Sequence, residues 1–361
     1  YINSSTEMLD PNATAQEGKY LWSEQSSGVG HFAKYAEERV ADSNTENLLI
    51  QLAMETSSQT GKPIDQRAID NVAQEIQQDL DTQEVRRVYD NPSKGVLWGW
   101  EVTTYVWTKA IATGTFLMMA LWTWLNNGFE PKLEMYCLLT SLVFMGITGA
   151  LLVKDLDRPD RFLYVLLRPQ WKSWLVRGAY IITGFGGVIT IKIFDYYFSW
   201  GFYWLLFPGV VLAILGAVYT AFLFGQAKGR DFWQSTGLSA VHMLVHSVMA
   251  GSATMLVIAP EASAWMANIL LWGIILNMCI IGKEILMPYN TPDTKKAIQL
   301  MTKGYYSKMF MTGIIIGNVF PIIMLIVLNG SIIFAASGLA IFGIFLTEFV
   351  RIRVPQMIPL S

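Results

Sequence analysis

The sequence predicts an all-α integral membrane protein of eight transmembrane helices, arranged as two four-helix bundles behind a polar, partly helical N-terminal extension. Three observations predict it. The chain of 361 residues is 53% hydrophobic and only 15% charged, where a soluble domain averages about a quarter charged. Eight apolar stretches of spanning length follow Trp100, each of about 20 residues or more. The charge is also divided, with 8 basic against 16 acidic residues in 1–95, and 18 against 12 in 96–361. That split marks an acidic extension and a basic membrane domain.

Within the extension, 45–59 reads as a short amphipathic helix ended by Gly61-Lys62-Pro63. A second helix begins after Asp65, with Ile69, Val72, Ile76 and Leu80 at three- and four-residue spacing. Its apolar stripe is thin, which suits packing on a partner. The eight spans are expected at 101–126, 133–153, 174–195, 200–225, 236–259, 263–287, 309–328 and 331–350. Thirteen Trp, 19 Phe and 17 Met suit a bundle with aromatic belts.

Alternating the connections puts sixteen basic residues on one side, among them Arg86, Lys154, Arg168, Lys228, Lys295, Arg351 and Arg353. Only Lys132 falls in loops of the other side. The positive-inside rule makes the basic side and both termini cytoplasmic, in the inner membrane of a prokaryotic cell. A weak repeat relates the halves. Lys154-Asp155-Leu156 with Pro159 matches Lys283-Glu284-Ile285 with Pro288, and Tyr105, Lys109 and Gly114 match His242, His246 and Gly251 at the same intervals.

The longest polar interruption, Lys154–Gly178, joins the second and third spans and is rich in Asp, Arg and aromatic residues. A simple membrane turn needs none of this, so it reads as a docking surface. Ionisable residues inside spans face the bundle interior or a wet cavity. Glu101, Tyr105 and Lys109 share a helix face at four-residue spacing, and that face offers partners for a quinone carbonyl or holds an internal ion pair. His242 and His246 sit one turn apart on one helix, so they cannot ligate one haem iron from opposite sides. They read as a proton relay or as a satisfied core pair. Asp155 with Arg177 is the nearest carboxylate–guanidinium pair for proton entry, and Glu284 and Glu348 extend a path through the second half. Lys192 reads as an interface anchor. Cys137 and Cys279 both fall in apolar segments; they read as buried packing residues, so no iron–sulfur cluster or structural zinc is expected in this chain. There is no P-loop, GxGxxG, HExxH or nucleophile elbow, and no nucleic-acid partner is expected.

The cluster Asp155-Leu156-x-Arg158-Pro159-x-Arg161-Phe162, then Arg168-Pro169 and Ser173-Trp174-x-x-x-Gly178, resembles the NrfD/PsrC family. Trp98-Gly99-Trp100-Glu101 leading into Tyr105 and Ala112–Thr115 resembles the start of that family's first span, and Gly282-Lys283-Glu284 and the tail from Arg351 to Pro359 are looser matches. The resemblance covers 96–361. It implies a haem-free, quinone-reactive membrane anchor of a respiratory chain complex, which exchanges electrons between an iron–sulfur subunit and menaquinone or ubiquinone. That partner connects to a molybdopterin oxidoreductase or a hydrogenase, so this chain is not the catalytic core. The implied quinone site maps to Glu101, Tyr105, Lys109, Asp155 and Arg158. The implied proton path maps to Asp155, Arg177, His242, His246, Glu284 and Glu348. Asp157 stands where the family often has Gly, and Lys109 where many relatives carry a small or apolar residue. A secondary transporter and a passive anchor without a quinone site are the competing readings.

Overall fold

Once the helix backbone has satisfied its own hydrogen bonds, as it must in lipid, what distinguishes these helices is which side chains they turn inward. The computed structural model describes residues 98–156, 162–227, 230–259, 262–286, 291–327 and 332–357. The expected helices of the extension, His31, Arg158 and the end of the C-terminal tail lie outside the described residues. All described residues belong to one compact unit, 88–361, and among them there is no strand.

The helices are α1 (Trp100–Leu125), α2 (Pro131–Lys154), the short α3 (Phe162–Leu167), α4 (Trp174–Phe198), α5 (Leu206–Gly225), α6 (Thr236–Ile258), α7 (Ser263–Leu286), α8 (Pro292–Thr302), α9 (Ser307–Ile314), α10 (Phe320–Val327) and α11 (Ile332–Arg353). A 3₁₀ turn, Tyr203–Leu205, leads into α5, and a π-turn segment, Ile315–Val319, joins α9 to α10. Seven of the resulting helical segments are long and apolar enough to cross a membrane. The remaining long helix, α1, is the least lipid-like in sequence and the most enclosed. It packs against α2, α5, α6 and α11.

A threonine-rich helix tolerates that position because its hydroxyls are satisfied locally. Thr104, Thr108, Thr113, Thr115 and Thr123 each donate to the carbonyl four residues earlier, at 2.7–2.9 Å. α6 is its counterpart, packed against α1, α5, α7 and α11. The two helices cross at Gly114 and Gly251, where a Cβ on either would collide with the backbone of the other. Small residues allow this approach, and dispersion and close packing then hold the crossing where no hydrophobic effect operates. Thr113 donates to Ser247 Oγ beside it, at 3.2 Å. Gly317 and Gly343 make a second such crossing, between the π-turn segment and α11.

Three expectations are corrected. Cys137 is buried, but Cys279 is exposed on the surface of α7, so it fills no core space. Lys192 is buried rather than anchored at the interface, because Glu134 at 3.1 Å and Asp195 at 3.4 Å hold it within the bundle. Arg351, counted among the basic loop residues, lies inside α11 and is 7% exposed. The carboxylates around it take it inward.

Gly114→Leu places a branched side chain into the α1–α6 backbone contact. Overpacking of this kind costs about 1–3 kcal/mol or more, so the variant should show a lowered thermal midpoint and loss of monodisperse protein. Gly146→Leu, at an exposed position of α2 with open space around it, should leave both unchanged. Equal behaviour of the two variants would remove the crossing as a determinant of the fold.

Candidate functional site

Among the described residues, two interior polar centres gather the residues expected of a site. The first begins at Ser173-Trp174-x-x-x-Gly178. Trp174 stacks on Phe222 of α5, with ring centroids 4.5 Å apart and planes 17° from parallel. Gln226 accepts from the Trp174 amide and donates to the Lys172 carbonyl, each at 3.0 Å. One turn on, Gly178 leaves the room that the Tyr219 ring occupies, and a Cβ there would strike it. The Lys109 ammonium lies over that ring, 4.4 Å from its centroid. Lys109 Nζ also donates to the Ala217 carbonyl at 3.1 Å and to the Thr220 hydroxyl. It is 1% exposed; among the described residues it contacts no carboxylate directly, and the field of Glu348 reaches it. The Tyr219 hydroxyl is buried, with Thr220 beside it and no hydrogen bond of good geometry among the described residues.

Other residues expected here take different positions. Tyr105 is buried on the same face of α1 as Lys109. Glu101 pairs with Lys154 at 3.4 Å, not with Lys109, because Lys109 lies two turns deeper. Asp155 caps the end of α2. Arg177 donates from Nε to the Trp171 carbonyl at 2.5 Å and stacks over Trp174 at 4.7 Å. The structure therefore gives Arg177 a role in shaping the loop after α3. That loop is folded rather than loose. Tyr180 donates to the Leu166 carbonyl at 2.5 Å, and its ring lies 4.8 Å from Trp171. Leu163, Tyr164, Leu167 and Trp171 are left exposed on it.

The second centre joins α6, α7, the π-turn segment and α11. It brings together His242, His246, Glu284 and Glu348, four residues expected on one path, and adds Arg351, Asn277 and Asn318. The Arg351 guanidinium donates to Glu284 at 2.8 Å, contacts His242 Nδ1, and lies 3.7 Å from Glu348. His242 and His246 stand 4.3 Å apart, centroid to centroid. Their Nε2 atoms meet one oxygen, Asn277 Oδ1, at 2.7 and 3.0 Å. Asn277 Nδ2 in turn donates to Asn318 Oδ1 at 2.8 Å. Each histidine also faces a carboxylate through Nδ1, His242 at 3.6 Å from Glu284 and His246 at 3.3 Å from Glu348.

Two carboxylates, one guanidinium and two imidazoles thus share one buried space. An uncompensated buried charge is costly. His246, Glu348 and His242 also bring three metal-ligating atoms within 4.8 Å of one another, but the Arg351 contact on His242 Nδ1 opposes a cation there.

The basic end of the bundle is sealed above this centre. Trp98, Phe224 and Trp233 cluster with centroids 4.9–5.2 Å apart. Gln356 bridges the Trp98 amide and carbonyl at 2.8 and 3.0 Å, and Arg230 donates to the Pro355 carbonyl at 3.1 Å.

Sequence reasoning missed Arg351, Asn277, Asn318 and Tyr219. Arg351 and Asn277 had a signal, since α7 and α11 are otherwise almost wholly apolar. Tyr219 had none beyond its spacing of three from Phe222.

A family described as polysulphide reductase, NrfD matches residues 89–359. No curated protein matches the chain.

Arg351→Leu should destabilise the protein by about 3–5 kcal/mol, because it strands two buried carboxylates. Adding Glu284→Gln should recover part of that loss, since the two residues are in contact and their effects are not additive. A thermal-denaturation double-mutant cycle checks this; strict additivity would contradict the network.

Proposed function

The chain belongs to the polysulphide reductase NrfD family, and on that premise we propose that it is the quinone-reactive membrane subunit of a respiratory oxidoreductase complex. It exchanges electrons between an iron–sulfur subunit and menaquinone or ubiquinone, with associated proton transfer. The family is one of membrane subunits of such complexes, and the chain is a multi-pass integral membrane protein. We count α1 as an eighth span, because its 26 residues reach about 39 Å against a hydrocarbon core of about 30 Å. The Gly114–Gly251 crossing supports two four-helix halves related about that contact. The basic loops favour cytoplasmic termini.

The observation that carries the reading is the convergence of two histidines and two carboxylates with Arg351 and Asn277, deep in a helix bundle, a cluster suited to holding a proton. A bound quinone would supply a carrier for two electrons and two protons. The first centre fits such a group in one specific respect: the Tyr219 hydroxyl is a buried donor next to the Lys109 ammonium, with no hydrogen bond of good geometry among the described residues. Tyr105 and Lys109 add a second phenol and a charged donor on the same face, with Asp155 at the end of α2; Arg158 joins them by sequence only.

Lys109 places an ammonium in the first centre. Loss of its proton toward the quinone side removes a positive charge, so the carboxylates of the second centre then hold a proton more tightly. The Thr113–Ser247 hydrogen bond joins the helices that carry the two centres. Electrons arrive from outside the chain, through an iron–sulfur subunit seated on the loop from Lys154 to Gly178. The exposed Leu163, Tyr164, Leu167 and Trp171 supply an apolar surface for it, of the aromatic kind enriched at interfaces. A molybdopterin or hydrogenase subunit completes the complex.

Asp155→Asn should abolish quinone-linked turnover in membranes while the complex still assembles and reduces or oxidises an artificial electron carrier. Tyr219→Phe removes one hydrogen bond to the quinone, worth about 1 kcal/mol, and should lower turnover by about 5-fold. Undiminished quinone activity in the Asp155 variant would remove this site assignment.

A further inference from the structure

At the end of the bundle away from the basic loops, the chain builds a cavity of about 720 Å³. It lies between the ends of α1 and α4 and the start of α2, and Lys192 is among the residues that line it. Lys192 is 4% exposed and is held by Glu134 at 3.1 Å and Asp195 at 3.4 Å. Asp195 also accepts from the Phe202 amide at 3.1 Å. That contact and Lys192 occupy Asp195, whereas Glu134 keeps a partly exposed carboxylate. Two carboxylates and one ammonium leave one negative charge on the cavity wall. Glu130 and Lys132, exposed beside the start of α2, cancel each other and do not line the cavity.

The backbone is committed to this space. All four residues with positive φ among the described residues, Asn127, Gly128, Ser199 and Gly201, line it. Asn127 and Ser199 carry side chains in the left-handed region, which costs about 1 kcal/mol or more each. Aromatic faces complete the wall, with Trp124, Tyr196 and Tyr203 all at least 40% exposed. The cavity is separate from the Lys109 centre. Phe116 and Phe185, both fully buried and edge to face at 5.2 Å, lie across the bundle between them, so a proton route gives no account of the acidic wall.

We propose that this cavity binds an organic ammonium group, the headgroup of an aminophospholipid from the leaflet at this end. The ammonium meets the partly exposed carboxylate of Glu134, one of two acidic groups that share the single charge of Lys192, and the aromatic faces, an arrangement that attracts a cation and rejects an anion. Tyr196, Tyr203, Trp200 and Trp204 are exposed around this end, which is where an aromatic belt meets lipid headgroups. An anionic headgroup would instead face Glu134, because both acidic partners of Lys192 already occupy its ammonium.

The test is thermal denaturation of the full chain, with the subunits that co-purify, in detergent carrying either phosphatidylethanolamine or phosphatidylglycerol. Phosphatidylethanolamine should raise the midpoint by about 2–4 °C at several-fold excess over its dissociation constant, and phosphatidylglycerol should not. Glu134→Gln should abolish that difference; because Glu134 also pairs with the buried Lys192, the lipid-free midpoint falls, and the two lipids are compared within the variant. Tyr203→Ala, at a 76% exposed position, should weaken the difference with no cost to folding. Ethanolamine alone, if it reproduces the shift, supports the ammonium site and assigns it to a soluble amine rather than to lipid. Equal shifts from both lipids, or a shift that survives both substitutions, would overturn the proposal.

Discussion

A guanidinium buried in a membrane bundle has few tolerable environments, and the second half of this protein is arranged around one. Arg351 lies within reach of Glu284, Glu348 and His242 at once. These residues come from α6, α7 and α11, so the charge fixes how the three helices meet. The π-turn segment then has a purpose: it turns Asn318 inward, and Asn318 orients the Asn277 amide on which both histidines converge. Both imidazoles share that amide oxygen, and each has a carboxylate facing its Nδ1. Breaking a buried ion network from one side costs far more than the network contributes as a whole, so its members constrain one another.

The first half solves the same geometric problem with less charge. Gly178 admits the Tyr219 ring, the ring underlies Lys109, and Lys109 reaches neutral acceptors on α5. Matching positions on α1 and α6 therefore carry a phenol and an ammonium in one half and two imidazoles in the other. The Gly114–Gly251 crossing lies at the centre of this correspondence. Under the proposed function, the first centre would present donors to a two-electron carrier and the second would hold a proton.

Much of this was legible in sequence, and the reasons differ by feature. The ends of the long helices fell within a few residues of expectation because lipid imposes one apolar length on each. His242, His246, Glu284 and Glu348 stood out because ionisable groups inside spans are costly. Their convergence could not be read, since it depends on which faces of three separate helices meet. Arg351 was assigned to a loop because a charge near the end of an apolar run normally marks the interface; here α11 continues past it to Arg353. Lys192 was misplaced for the same reason, its carboxylate partners lying on α2 and on its own helix. Asn277, Asn318 and Tyr219 carry no charge, and their importance is entirely one of position. The SW…G motif was visible as a resemblance, but its physical content, a ring stacked by Trp174 and a space left by Gly178, needed three dimensions.

The central claim is that the cluster of His242, His246, Glu284 and Glu348 holds an exchangeable proton. Infrared difference spectroscopy of the full chain, with histidine isotopically labelled, tests it most directly. The account predicts proton-linked imidazole and carboxyl bands on quinone reduction that are altered in His246→Ala and in Glu348→Gln. Difference bands identical in the wild type and both variants would contradict it.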